Sequence, residues 1–183
     1  MRILIAGIGN IFFGDDAFGC EVVSELIRKP FPQEVRIVDF GIRGYDLAYA
    51  ILEGYDTVIL IDAAARGETP GTTALLELRR DDWITGEASV PDPHGLDAVR
   101  VLEMVRAAGG NLEKVYLLAC EPAVLETDDF GLSPPVQAAL PHAVELIERF
   151  VCDLLQNGGL DDGDRKPENG ELVCAAQINQ RHT

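Results

Sequence analysis

Three polar residues in this 183-residue chain are of types that bind divalent metal ions or activate water. Asp16 lies in the glycine-containing segment 14–19, Asp62 ends an apolar run, and His94 lies in a loop after two prolines. Two carboxylates and an imidazole suit a borderline ion such as nickel or zinc, and three protein ligands leave positions open for water or substrate. The three residues are therefore a candidate metal and catalytic site, if the fold brings them together.

Each of these residues also has an ordinary structural explanation. Asp15 and Asp16 precede a helical pattern, where either carboxylate could cap the helix by accepting backbone N–H bonds. Asp62 could end its strand by bonding to the turn at 63–65, and His94 could be an exposed loop residue. Because one carboxylate is enough for a cap, either Asp15 or Asp16 is left to face the crevice, and we choose Asp16 for the site.

The remaining imidazole and thiol groups are assigned no chemistry. His142 lies within the last predicted helix and His182 in the polar C-terminal stretch, so His94 is the histidine placed to join two strand-end carboxylates. Packing is the expected role of Cys20, Cys120 and Cys152. All four cysteines are widely separated and form no Cys-x-x-Cys pair, so we expect them to be reduced thiols. They are Cys20, Cys120, Cys152 and Cys174.

The charge of the chain limits its partners. The sequence has 15 basic and 31 acidic residues, a formal charge of -16, which repels nucleic acid and anionic membrane surfaces. The same field favours a metal ion, a basic peptide or a cationic surface, although it is also common in acidic soluble proteins. The N-terminal segment lacks the pattern of a secretion signal, and we expect a cytoplasmic protein.

Apolar runs alternate with helical patterns along the chain. Strands are predicted at 2–6, 35–40, 57–62, 73–78 and 115–119. The run at 73–78 follows Asp62 too closely for a parallel crossover, so it should be an antiparallel or edge strand. The expected fold is a three-layer α/β/α domain over residues 1–156, with a twisted, mostly parallel five-stranded sheet and a polar, flexible tail at 157–183.

The expected sheet also predicts where a ligand would bind. In open α/β sheets, ligands bind beyond the carboxyl ends of the parallel strands. The polar residues at or just beyond those ends are Asn10, Asp39, Asp62 and Glu121.

The last helix should begin with Ser133 as N-cap and be kinked or divided at Pro141.

A dinucleotide site is a weaker interpretation of the first glycine turn. Gly7 and Gly9 follow a strand, but Phe12 stands where the third glycine of G-x-G-x-x-G belongs, and two carboxylates follow that would repel phosphate. No G-x-x-x-x-G-K-[ST] motif occurs. A nucleotide-binding protein would be stabilised by nucleotide and indifferent to nickel.

At these residues the chain resembles the hydrogenase maturation endopeptidases, the proteases that remove a C-terminal extension from nickel-iron hydrogenase large-subunit precursors. The resemblance extends over roughly residues 1–155. It rests on the segments 7–10 and 14–19, the segment 39–44 with Leu47, Asp62, His94, Glu121-Pro122 and the segment 131–134.

The resemblance implies a metal-recognition and catalytic role for Asp16, Asp62 and His94. The first position is glutamate in some relatives, and Ile42 stands where threonine is frequent. It further implies that nickel arrives bound to the precursor, so the enzyme need not hold a metal of its own. A non-catalytic, nickel-dependent partner of the precursor is the alternative, and it would bind the precursor without changing its mass.

Overall fold

The computed structural model describes residues 1–79, 98–125, 130–157 and 172–174. A single mixed sheet has the strand order β2-β1-β3-β5-β4-β6. Its strands are β1 (Ile3–Ile8), β2 (Val35–Gly41), β3 (Thr57–Ala63), β4 (Thr73–Glu77), β5 (Lys114–Cys120) and β6 (Leu172–Cys174). The first five form the predicted mostly parallel sheet, and β4 pairs antiparallel with β5 as expected.

The sixth strand was not predicted. Its three residues pair in parallel with β4, with Leu172 opposite Leu75. They belong to the segment assigned to the C-terminal tail, most of which lies outside the described residues.

Helices cover both faces of the sheet and complete the three layers. They are α1 (Phe18–Leu26), α2 (Gly44–Leu52), α3 (Ala98–Ala107) and α4 (Pro134–Asn157). One core packs α1 and α4 on the sheet, and the other packs α2 and α3 on the opposite face. β1 and most of β3 are buried because helices cover both faces of these inner strands, as expected of central parallel strands.

The last helix begins where the sequence predicts, at Pro134 directly after Ser133. Pro141 does not divide it, since one helix continues for 24 residues to Asn157. Cys20 and Cys120 are buried as expected of packing thiols, whereas Cys152 is exposed, so its predicted packing role is wrong. No helix in the described part of the chain has the length and apolar character needed to cross a membrane.

The order of the strands creates a crevice beside β1. From β1 the chain crosses through α1 to β2 on one side, whereas β3 and β5 lie on the other side. The connections therefore diverge at the carboxyl ends of β1 and β3, which is where α/β proteins of this kind bind ligands. The segments that contain Asp16 and Asp62 both lie at this edge.

Candidate active site

Asp16 is held at the carboxyl end of β1 by the main chain. It lies in a short 3-10 helix, Gly14–Ala17, between β1 and α1. One of its carboxylate oxygens, Oδ2, accepts a hydrogen bond of 2.6 Å from the backbone N–H of Asn10. The side chain is only partly buried, so a substrate can approach it.

Two glycines permit this close approach. Gly9 has a φ of +125°, and a Cβ there would lie 1.8 Å from the carbonyl oxygen of Asp16. A Cβ on Gly19 would lie 2.2 Å from the carbonyl oxygen of Ile61 in β3. The start of α1 therefore packs directly on β1 and β3 because neither glycine has a side chain.

The charges of Asp39, Asp16 and Asp62 all act on the thiol of Cys20. Burial raises the pKa of Cys20 above its ordinary value; the charge of Asp39 and a hydrogen bond with it, followed by the charges of Asp16 and Asp62, raise this pKa further. The Sγ atom of Cys20 lies 3.5 Å from the carbonyl oxygen of Gly9, to which it donates. Cys20 is thus a protonated, buried thiol and not an activated nucleophile.

His94, the third predicted site residue, lies outside the described residues. Within residues 1–79, 98–125, 130–157 and 172–174, no three His, Cys, Asp or Glu side chains are arranged to hold a metal ion. Ala98, the first described residue after His94, begins α3. Because α3 leads into the parallel strand β5, its first turn faces the carboxyl edge of the sheet.

Asp15 has a different environment from its neighbour. Its side chain is fully buried and accepts backbone N–H bonds from Ala123, Val124 and Ser133, at 2.7, 3.0 and 2.6 Å. The hydroxyl of Ser133 donates a fourth bond, at 2.9 Å. Asp15 therefore ties the loop that follows β5, and the start of α4, to the short helix that contains Asp16.

These bonds keep Asp15 ionised. Burial alone would raise the pKa of its carboxyl group. The hydrogen bonds from Ser133, Val124 and Ala123 outweigh that effect and lower the pKa below its ordinary value.

The capping explanation for these two aspartates is wrong. The N-cap of α1 is Ala17, and no side chain caps that helix. The assignment of the exposed role to Asp16 rather than to Asp15 agrees with the burial of the two side chains. The sequence did not indicate the role of Asp15, because its partners lie 108 to 118 residues further along the chain.

Glu121 is not part of the exposed rim that the sequence predicted. Its side chain is buried and accepts N–H bonds from Arg66 at 2.7 Å and Gly67 at 3.3 Å. It thereby fixes the loop after β3. Asp39, in contrast, is exposed in β2 and adds a third carboxylate to the site. Its position before the end of β2 was the sequence signal for it.

The described part of the site carries a negative charge that attracts cations. Asp16 and Asp62 place carboxylate groups at the crevice between β1 and β3, and Asp39 adds negative charge nearby. A protonated thiol and the backbone N–H of Asn10 complete the described part of the site. This chemistry suits hydrolysis assisted by a metal ion.

Comparisons with known proteins identify the family. The family model for hydrogenase maturation proteases matches residues 20–150. The hydrogenase 2 maturation protease of Escherichia coli K12 is 33% identical over 153 residues, which cover 80% of this chain and 88% of the relative. The hydrogenase expression/formation protein HupD of Bradyrhizobium diazoefficiens is 33% identical over 165 residues, 87% of this chain and 80% of that protein.

Solved structures give the same result. The hydrogenase maturating endopeptidase HybD from E. coli superimposes with a TM-score of 0.71 and 30% identity, covering 86% of this chain and 94% of that one. The [NiFe] hydrogenase maturation protease HycI from Thermococcus kodakarensis superimposes with a TM-score of 0.65 and 28% identity, and the match covers 81% of this chain and 90% of that one. The family-model match, the curated relatives and the shared fold together establish that this chain is an endopeptidase of the hydrogenase maturation protease family.

Proposed function

We propose that this protein removes the C-terminal extension of a nickel-iron hydrogenase large-subunit precursor once nickel has been inserted. Membership of the family implies a hydrogenase precursor as the substrate. In the proposal, Asp16, Asp62 and His94 complete the coordination of nickel that the precursor itself carries. The metal is then part of the substrate and a signal that insertion is finished.

The observation that supports this proposal most directly is that Asp16 and Asp62 lie at the carboxyl ends of the paired strands β1 and β3. Both carboxylates act on the same buried thiol at the crevice between β1 and β3, in a chain of the maturation protease family. Carboxylate and imidazole groups suit a borderline ion such as nickel. His94 is four residues before α3, whose first turn faces the same edge of the sheet.

The proposed chemistry is hydrolysis of one peptide bond. Coordination of the substrate-bound nickel by the three side chains would orient the scissile bond in the crevice. Water activated by nickel or by a carboxylate would attack the carbonyl carbon, the C–N bond would break, and a proton from the water would pass to the departing amine of the extension. Cys20 takes no part as a nucleophile, because burial and three nearby carboxylates keep its thiol protonated.

The test is cleavage of a nickel-loaded precursor, followed by intact mass. The wild-type protein should release one C-terminal peptide, and should release none from precursor without nickel. Asp16→Asn, Asp62→Asn and His94→Ala should each lower the rate by at least about 100-fold, since each removes a ligand or charge from the reacting centre.

Asp153→Asn is the matched control for the two aspartate variants. Asp153 lies on α4, 19 residues after Pro134, about 28 Å along a helix that rises ~1.5 Å per residue. This variant should cleave at the wild-type rate. Unchanged cleavage by all three site variants would refute the site, and stable association without any mass change would identify a non-catalytic partner instead.

We also propose that the protein is located in the cytoplasm. Cys20, Cys120 and Cys152 are free thiols, as is usual in a reducing compartment. Cell fractionation followed by immunodetection tests this location.

A further inference from the structure

Six large apolar side chains are exposed around the candidate active site. They come from three loops at the carboxyl edge of the sheet, after β1, β2 and β5. We call them the apolar collar: Ile11, Phe12, Phe13, Ile42, Val124 and Phe130, which are 51, 62, 46, 68, 47 and 80% exposed.

The first part of the collar is continuous with Asp16. The N–H of Phe12 donates to the side-chain oxygen of Asn10 at 3.1 Å, and the N–H of Phe13 donates to the Asn10 carbonyl at 3.0 Å. The same Asn10 donates its own N–H to Asp16. One turn of chain therefore presents the carboxylate and two phenyl rings together.

The second part of the collar comes from the loop after β5. The rings of Phe12 and Phe130 meet edge to face, with centroids 6.4 Å apart. The N–H of Val124 donates to Asp15, the neighbour of Asp16. The collar therefore extends from the loop after β1 to the loop after β5.

Ile42 lies on the side of β2. It follows Gly41, whose carbonyl accepts the N–H of Gly9 at 3.2 Å. The carboxylate of Asp39 lies in the same strand, near the thiol of Cys20. Exposed apolar side chains and carboxylates thus lie at the same edge of the sheet.

Protein stability does not account for these side chains. The two cores are built from other residues, and six of the eleven large apolar side chains that are exposed in the described part of the chain belong to the collar. A cluster of exposed apolar side chains at one edge marks an interaction surface. Aromatic residues, including Phe, are enriched in protein interfaces, and a few interface residues carry most of the binding energy.

We propose that the apolar collar binds an extended, apolar segment of the hydrogenase precursor next to the scissile bond. Asp16, Asp39 and Asp62 give the centre of the surface a negative charge, and the chain carries -16 overall, so an acidic segment is repelled. The complementary segment has a cation at its centre and uncharged apolar side chains beside it. This inference rests on the proposed function, because it names the part of that substrate that docks beside the site.

The test compares two double variants of the full chain. Phe12→Ser/Phe130→Ser removes the ring pair of the collar. Ile27→Ser/Tyr49→Ser is the control, because Ile27 and Tyr49 are 56% and 69% exposed but lie at the end of α1 and on α2, outside the collar. With nickel-loaded precursor, the collar variant should raise KM by about tenfold or more and leave kcat within about twofold.

The control variant should leave both constants within about twofold of wild type. Thermal unfolding of both variants shows whether the fold is retained, and a single Phe130→Ser variant repeats the KM measurement if the double variant does not fold. An unchanged KM in folded collar variants, or an equal rise in the control, would overturn the proposal.

A binding measurement separates this proposal from the proposed function. In an Asp16→Asn background, association with nickel-loaded precursor is measured by size exclusion, with and without the collar substitutions. If the wild type does not cleave but association requires the collar, the proposed function fails and the docking surface is supported. If the wild type cleaves and the collar substitutions do not change association, the docking proposal is refuted and the proposed function is not.

Discussion

Asp15 and Asp16 are adjacent in sequence but lie in two different regions of the molecule. Asp15 lies in the junction between the short 3-10 helix, the loop after β5 and the start of α4, where four donors surround its buried carboxylate. Asp16 lies at the strand-end crevice, partly exposed and near other carboxylates. The same residue type is therefore enclosed by hydrogen-bond donors in one region and accessible to a ligand in the other.

The two regions differ in the number of hydrogen-bond donors around the carboxylate and in the exposure of the carboxylate to solvent. A buried carboxylate that accepts several N–H bonds remains charged and contributes to stability. A carboxylate at an open edge keeps part of its surface for a ligand. The junction holds the strand-end crevice in place, because the bonds to Asp15 fix the segment in which Asp16 lies.

The largest effect should come from exchanging the two aspartates for alanine in turn. Asp15→Ala leaves three backbone N–H groups and a hydroxyl without their acceptor, and should lower the free energy of unfolding by about 3 to 5 kcal/mol. Asp16→Ala should lower it by about 1 kcal/mol but abolish cleavage. Urea unfolding and the precursor assay measure the two quantities.

Asp153→Ala is the control for both aspartate variants and should change neither stability nor cleavage appreciably. Equal losses of stability in Asp15→Ala and Asp16→Ala would show that the two regions do not differ as described.

A smaller effect is expected when the crevice is overpacked. In Gly9→Ala the new Cβ would meet the carbonyl oxygen of Asp16, and the backbone φ of +125° is unfavourable for alanine. The free energy of unfolding should fall by about 2 to 4 kcal/mol, and cleavage should fall because Asp16 is displaced.

Gly54→Ala is the matched control for this change. Gly54 also has a positive φ, +88°, but a Cβ there meets nothing within 4 Å. It should cost only about 1 kcal/mol and leave cleavage intact. If both variants behave alike, backbone conformation and not close packing explains the effect at Gly9.

Ser133→Ala should have a still smaller effect. It removes one of the four donors to Asp15 and leaves the three backbone N–H groups in place. The free energy of unfolding, measured in urea, should fall by about 1 kcal/mol, and the rate of cleavage should not change. A large loss of cleavage in this variant would assign Ser133 to the proposed catalytic site rather than to the junction.

The smallest effect is a dependence of stability on pH. Hydrogen bonds lower the pKa of Asp15 in the folded protein. Asp15 therefore makes its full contribution to the free energy of unfolding at pH values above its pKa in the unfolded chain, and this contribution is lost as pH falls through its pKa in the folded protein. With an unfolded pKa of about 3.9, the loss between pH 5 and pH 4 is at most about 0.3 kcal/mol. Unfolding of wild type and Asp15→Asn at these two pH values measures it, and a difference that grows as pH falls would contradict the sign.

The sheet and its layers could be predicted from the sequence because they depend on local patterns. Five strands and the antiparallel position of β4 followed from apolar runs and the length of the connection before β4. The three-residue strand β6 could not be predicted, since its pairing with β4 depends on a contact almost 100 residues away along the chain.

For the site, the sequence by itself determined the types of the catalytic candidates and the edge of the sheet where Asp16 and Asp62 lie. Only the tertiary structure decided which carboxylates face that edge. Asp15 and Glu121 are buried because donors from distant segments, Ser133 in one case and Arg66 in the other, fold against them. Sequence periodicity reports which face of an element is apolar, but a carboxylate's role depends on the donors that reach it through space.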